Sequence, residues 1–324
     1  MKKFPLLLLL ATSLTLSAQT EEHLDKKFSI PAGGQLVVDV GAGSIDVTTH
    51  ASDEVSVSVY RKVTRKNKDD EEAFLREHPV TFSQDGGKLT IHTDDRNNGI
   101  GGWFGSNRLE AKYTITVPAS FNLQLKTSGG GITANDVTGK VTADTSGGGL
   151  RFARVRGPLD GHTSGGGIRV EDCEGSVKIN TSGGGIDVNG GGGSLDGDTS
   201  GGSVTVKNFH GPARVETSGG GITLENITGK IEGSTSGGSI SARFASPQLE
   251  DVKLETSGGG VTVHVAEGSA FDLDASTSGG DVSTDLPVTV VGKIGRSHMK
   301  GTVNGGGKTL YLRSSGGGIH VKRL

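Results

Sequence analysis

The chain has 324 residues, of which 56 are glycine and only 4% aromatic, with a formal net charge of −3. So much glycine excludes an ordinary globular domain, and an apolar fraction of 32% is too high for a disordered chain. The charge is nearly balanced, and the basic run at 61–68 is followed at once by acids at 69–72, which argues against nucleic-acid or anionic-membrane partners.

Residues 1–18 read as a signal peptide. Two lysines precede an apolar run from Phe4 to Leu16 that is too short to span a bilayer permanently, and small residues precede Gln19. The mature chain is expected to be exported to the periplasm, the cell surface or the medium, with no transmembrane segment and no visible attachment device. Residues 19–63 alternate like strands around a glycine corner and read as irregular first coils. Residues 64–107 read as an insertion, with a short helix over 68–78 that has acids at its start and Arg76 and His78 near its end.

A Gly/aromatic loop follows at 94–107. In a chain so poor in aromatics, Trp103 and Phe104, with Arg96 beside them, are candidate contacts for a glycan or protein partner. The competing reading makes them a hydrophobic lid over the solenoid.

From 108 to 324 the chain is periodic. Copies of TSGGGI begin at Thr127, Thr145, Thr163, Thr181, Thr199, Thr217 and Thr235, each 18 residues after the last. Two more follow at Thr256 and Thr277 after steps of 21, and a final SSGGGI begins at Ser314. With the threonine as position 1, positions 6, 8, 15 and 17 are mostly apolar, which is the period-2 signature of two short strands per coil. Glycines at 3, 4 and usually 13 mark corners, where the backbone needs positive φ or room to turn.

These features predict an all-β parallel β-solenoid with coils of ~18 residues, right-handed as parallel crossovers usually are. A left-handed hexapeptide helix would isolate one aliphatic residue every six instead. A calcium roll would need an Asp at a fixed place in each glycine turn, where this chain has Ile, Leu or Val.

Position 16 alternates in sign along the coils: Asp160, Lys178, Asp196, Arg214, Glu232, Lys253, Asp274. Position 17 alternates in bulk with the same rhythm, from Gly161 and Ile179 onward, so the true repeat is about two coils, ~36 residues. On the same face, Asp196, Asp198 and Glu216 form the one plausible acidic cluster for a polysaccharide-binding or polysaccharide-cleaving β-helix. They fall on ladder positions, however, and read more simply as a self-neutralised surface. The nine histidines show no ligand spacing, and no catalytic residue, metal or cofactor is expected. The lone Cys173 occupies an apolar repeat position and is expected to be buried and inert. The threonines point inward or into the corner, so they offer no flat outward array for ice.

The run TVPASFNLQLKTSGGGI (116–132), the tandem TSGGGI coils and the closing GTVNGGGKTLYLRSSGGGIHV resemble the DUF4097 family of bacterial β-strand-repeat envelope proteins, which carry an adhesin label. The resemblance spans roughly 35–324. It implies a right-handed parallel β-solenoid at or beyond the envelope and supplies no catalytic motif. The leading expectation is therefore a non-enzymatic exported surface for an envelope or extracellular protein or glycan.

Overall fold

A computed structural model describes residues 20–94, 108–290 and 295–324. The expected signal peptide (1–18) and the residues Arg96, Trp103 and Phe104 lie outside the described residues. Within them are 29 strands and one helix, and the strands form two sheets, one of fourteen and one of fifteen. Each regular coil contributes one strand to each sheet and pairs in parallel with the residue 18 places on, as in Leu150↔Ile168 and Val141↔Leu159. Positions 6, 8, 15 and 17 face inward, giving one continuous core.

Position 11 forms a third apolar column: Val137, Val155, Cys173, Phe209 and Ile227 are all buried. Beside it a ladder of single bridges runs from Ser120 through Thr138, Arg156, Glu174 and Gly192 to His210. This third wall contributes too few residues per coil to show a period of two in the sequence.

The corner glycines have two different causes. Position 13 needs positive φ (Gly139 at 149°, Gly157 at 141°). Position 4 needs space, because a Cβ on Gly166 would lie 2.2 Å from the Gly148 carbonyl oxygen of the previous coil. The threonine of TSGGG closes that contact. Thr181 Oγ1 donates to the Gly166 carbonyl at 2.7 Å and accepts from Gly184 N at 3.3 Å, so a buried hydroxyl clips one coil to the next. Ten position-1 hydroxyls, from Thr127 to Ser314, make the same donation. Thr181→Val is expected to cost about 1–3 kcal/mol by leaving a buried carbonyl short of a donor. Thr181→Ser, which copies the Ser314 clip, is expected to cost much less; urea midpoints of the two variants check this.

Both ends of the stack depart from chain order. The coil Gln35–Asp39/Ser44–His50 lies between Lys88–His92/Arg108–Pro118 and Asn122–Thr127/Ile132–Asn135. Its corner, GAGSI, is a disguised first copy of the motif, and Gly43 O accepts from Thr127 Oγ1 at 2.9 Å. At the other end the last coil, Lys308–Ser314/Ile319–Arg323, is inserted between Val252–Thr256/Val261–Val265 and Phe271–Thr277/Val282–Thr284.

This insertion corrects the charge ladder expected from the sequence. From Asp160 to Lys253 the residues face each other in the expected order. Asp274 does not face Lys253, because Tyr311 stands between them. Asp274 instead pairs with Arg313 at 2.8 Å, and the Arg313 guanidinium sits 3.8 Å from the centre of the Tyr311 ring. Two ion pairs of the ladder run along a strand: Arg214–Glu216 at 2.5 Å and Lys253–Glu255 at 2.9 Å. Bulk alternation at position 17 is realised in space, since Gly161 faces Ile179 and Gly233 faces Leu254.

The helix is Lys68–Glu77, with Asn67 as N-cap accepting from Asp70 N at 2.8 Å. It buries Phe74 and Glu71, and the Glu71 carboxylate accepts from Thr20 Oγ1 and Arg65 N, which ties the helix to the N-terminal strands. Among the described residues, no helix is long and apolar enough to cross a membrane.

Candidate functional site

Among the described residues, three places stand out as candidates: the acidic face, the cysteine and a cavity at a broken corner. The acidic face lies on the fifteen-stranded sheet, where Asp196 faces Arg214 and Asp198 faces Glu216 across adjacent strands. Desolvation raises the pKa of Asp198, helped by Asp196 and Glu216, while Arg214 and Lys178 oppose the rise. The strand pairing thus brings the three expected carboxylates together, along with the cations that neutralise them. Neighbouring carboxyls, one of them raised, are the ingredient for general-acid chemistry, but here the charges are distributed along a strand face.

The shift has a consequence for stability. An acid with its folded pKa raised releases its proton more readily when unfolded, so stability falls as pH rises from the unfolded value through the folded one. Asp198→Asn is expected to raise Tm at neutral pH and to leave it unchanged below the unfolded aspartate range. Melting curves across pH 3–8 test the sign.

Cys173 is buried, its Sγ accepts from Val155 N and donates to Glu171 O, both at 3.4 Å, and burial pushes its thiol pKa up. Its environment matches that of an unreactive structural thiol.

The cavity, of about 220 Å³, lies where the third wall ends. Through Asn226 each coil turns at position 10 in the left-handed region (Asp136, Arg154, Asp172, Asn208 and Asn226, with φ from 50° to 64°). The next coil instead continues its strand, Ile240–Phe244, and pairs Phe244 with Val265. Its three extra residues are accommodated in a six-residue loop at 245–250 that lines the cavity with Ile227. The apolar lining comes from Ile227, Phe244 and the loop's own Leu249, and the polar lining includes Asn208, Asn226, His210 and Thr228. Asn226 Nδ2 donates to Asn208 Oδ1 at 3.2 Å, Asn208 Nδ2 donates to Asn189 Oδ1 at 3.1 Å, and His210 Nδ1 lies 3.3 Å from Thr228 Oγ1. None of these residues was singled out by the sequence; the 21-residue step was the available signal. Among the described residues, no three His, Cys, Asp or Glu side chains converge as a metal site.

A family model described as Toastrack DUF4097 matches residues 35–322. No curated protein matches the chain. Similar solved structures include a candidate adhesin from Bacteroides fragilis, 13% identical, covering 94% of this chain and 97% of its own, with a TM-score of 0.34. A candidate lipid binding protein from Parabacteroides distasonis is 11% identical and covers 93% and 96%, with a TM-score of 0.35. A candidate cell adhesion protein from Clostridium sporogenes is 11% identical and covers 94% and 100%, with a TM-score of 0.25. At these identities and scores no property passes from them to this chain.

Proposed function

The chain belongs to the Toastrack DUF4097 family, and from that premise we propose that it is a non-enzymatic, exported solenoid of the cell envelope. It offers a long rigid surface for binding or scaffolding an envelope or extracellular protein or glycan. The observation that supports this most is how the outward charges are arranged. Arg214–Glu216 and Lys253–Glu255 pair along their own strands and Lys230 pairs with Glu232 at a strand's start, so much of the outward charge on this face is neutralised locally. Exposed pairs of this kind add little stability and leave a surface suited to contact.

A second reading, a glycan-cleaving β-helix, is favoured by one observation, the raised carboxyl of Asp198 beside Glu216. Incubating the mature protein with a polysaccharide panel and envelope extracts separates the two. Retention without new reducing ends supports the surface. Reducing ends that vanish in Asp198→Asn and Glu216→Gln variants overturn it in favour of the enzyme.

A further inference from the structure

We infer that the cavity under the 245–250 loop binds one neutral sugar ring of a glycan, an inference that rests on the binding-surface reading above. Three features of the cavity lead there. First, its size suits a single ring: an apolar cavity of about 150 Å³ accepts benzene, and this one is about 220 Å³. Second, its chemistry is two-sided. Ile227, Phe244 and Leu249 give apolar walls for the C–H face of a pyranose, and the amide, imidazole and hydroxyl groups of the lining match ring hydroxyls.

Third, the cavity offers no free charge. Its one carboxylate, Glu250, is paired with Lys308 at 3.3 Å, so an anionic phosphate or carboxylate ligand finds no unpaired cation in the lining. A purely apolar ligand would leave the polar lining unused. The asparagine ladder sharpens the point. Each amide donates to the one before it, from Asn226 to Asn208 to Asn189, and the ladder stops because Phe244 takes the next corner. The Asn226 side-chain oxygen is thereby left as an open acceptor at the cavity mouth, where a sugar hydroxyl can donate to it.

The site exists because the period fails there. The coil that follows Ile227 extends its strand through Phe244 and then bulges at 245–250, with Leu249 packed against the core and the loop lining the cavity. Neighbouring coils expose more of the same wall, so longer glycans can extend past the ring that enters the cavity.

The test uses the full mature chain, labelled for NMR, with methyl glycosides of glucose, galactose, mannose and N-acetylglucosamine as probes. One or more should shift the amides of Ile227, Thr228, Phe244 and Leu249 with saturation in the millimolar range. Thr228→Trp, which plugs the mouth, and Asn226→Gly, which the backbone accepts because Gly190 takes the same corner at φ 75°, should each weaken binding at least tenfold. Melting temperature and the amide spectrum of distant coils report that both variants fold. Silence of these amides to all four glycosides overturns the inference, as does binding that both variants leave unchanged. If envelope glycans are still retained in that case, the surface reading survives alone; if neither glycosides nor envelope extracts are retained, both readings fall.

Discussion

Gly166→Ala lowers stability by about 3 kcal/mol or prevents folding. The added Cβ would lie 2.2 Å from the Gly148 carbonyl oxygen and 2.4 Å from its carbon, and neither atom can yield, because Gly148 in turn lies against Gly130. The corner glycines form a column of backbones in contact, so one methyl group must displace several coils. It also pushes away the carbonyl that Thr181 clips. Gly197→Ala provides the control. Its Cβ would find only ordinary contacts, 3.6 Å to Val215 and 3.7 Å to Ile179, so the expected change is within about 1 kcal/mol. Chemical denaturation of the two variants side by side gives the comparison. Equal stability of both would show that position 4 does not need glycine.

Leu312→Ala is the second large effect, expected at about 2–5 kcal/mol. Leu312 is fully buried in the coil that is last in sequence but interior in the stack, between Leu254 and Ala275. Its loss weakens the contacts that hold the strands 271–277 and 282–284 onto the rest of the solenoid. Hydrogen exchange should therefore quicken at the C-terminal end while coils around 141–199 stay protected. If the strand Phe271–Thr277 paired directly with Val252–Thr256, as simple chain order would have it, the substitution would leave exchange at 271–284 nearly unchanged.

The regular coils were legible in the sequence because glycine, threonine and alternating aliphatics each mark one place in an 18-residue turn. The reversed order at the ends was not. A parallel in-register stack lets any coil sit on any other, so the TSGGG pattern at 314 reads as simply the next turn. Only Tyr311, standing where the alternation calls for a charge, hinted that the ladder from Lys253 to Asp274 was interrupted. The first coil was legible as strands around a glycine corner but not as a copy of the motif, because its corner GAGSI accepts a clip and donates none, Val40 holding the threonine position.

The candidate site divides in the same way. The acidic face was legible because Asp196, Asp198 and Glu216 sit at repeat positions, and pairing follows from the period. The cavity was not, because the 21-residue step announces an irregular coil without saying which corner bulges or what lies beneath it. Asn208 and Asn226 look like ordinary turn residues, which is also what they are; their second role as a ladder depends on Phe244 ending it.

The central claim is that TSGGG is scaffold and that binding occurs where the period breaks. Its most direct test is a hydrogen-exchange footprint of the full mature chain with and without an envelope polysaccharide. The account predicts new protection at 208–210, 226–231 and 244–252, with the TSGGG corners unchanged. Protection centred on those corners, or protection at Asp196, Asp198 and Glu216 accompanied by release of sugar, would contradict it.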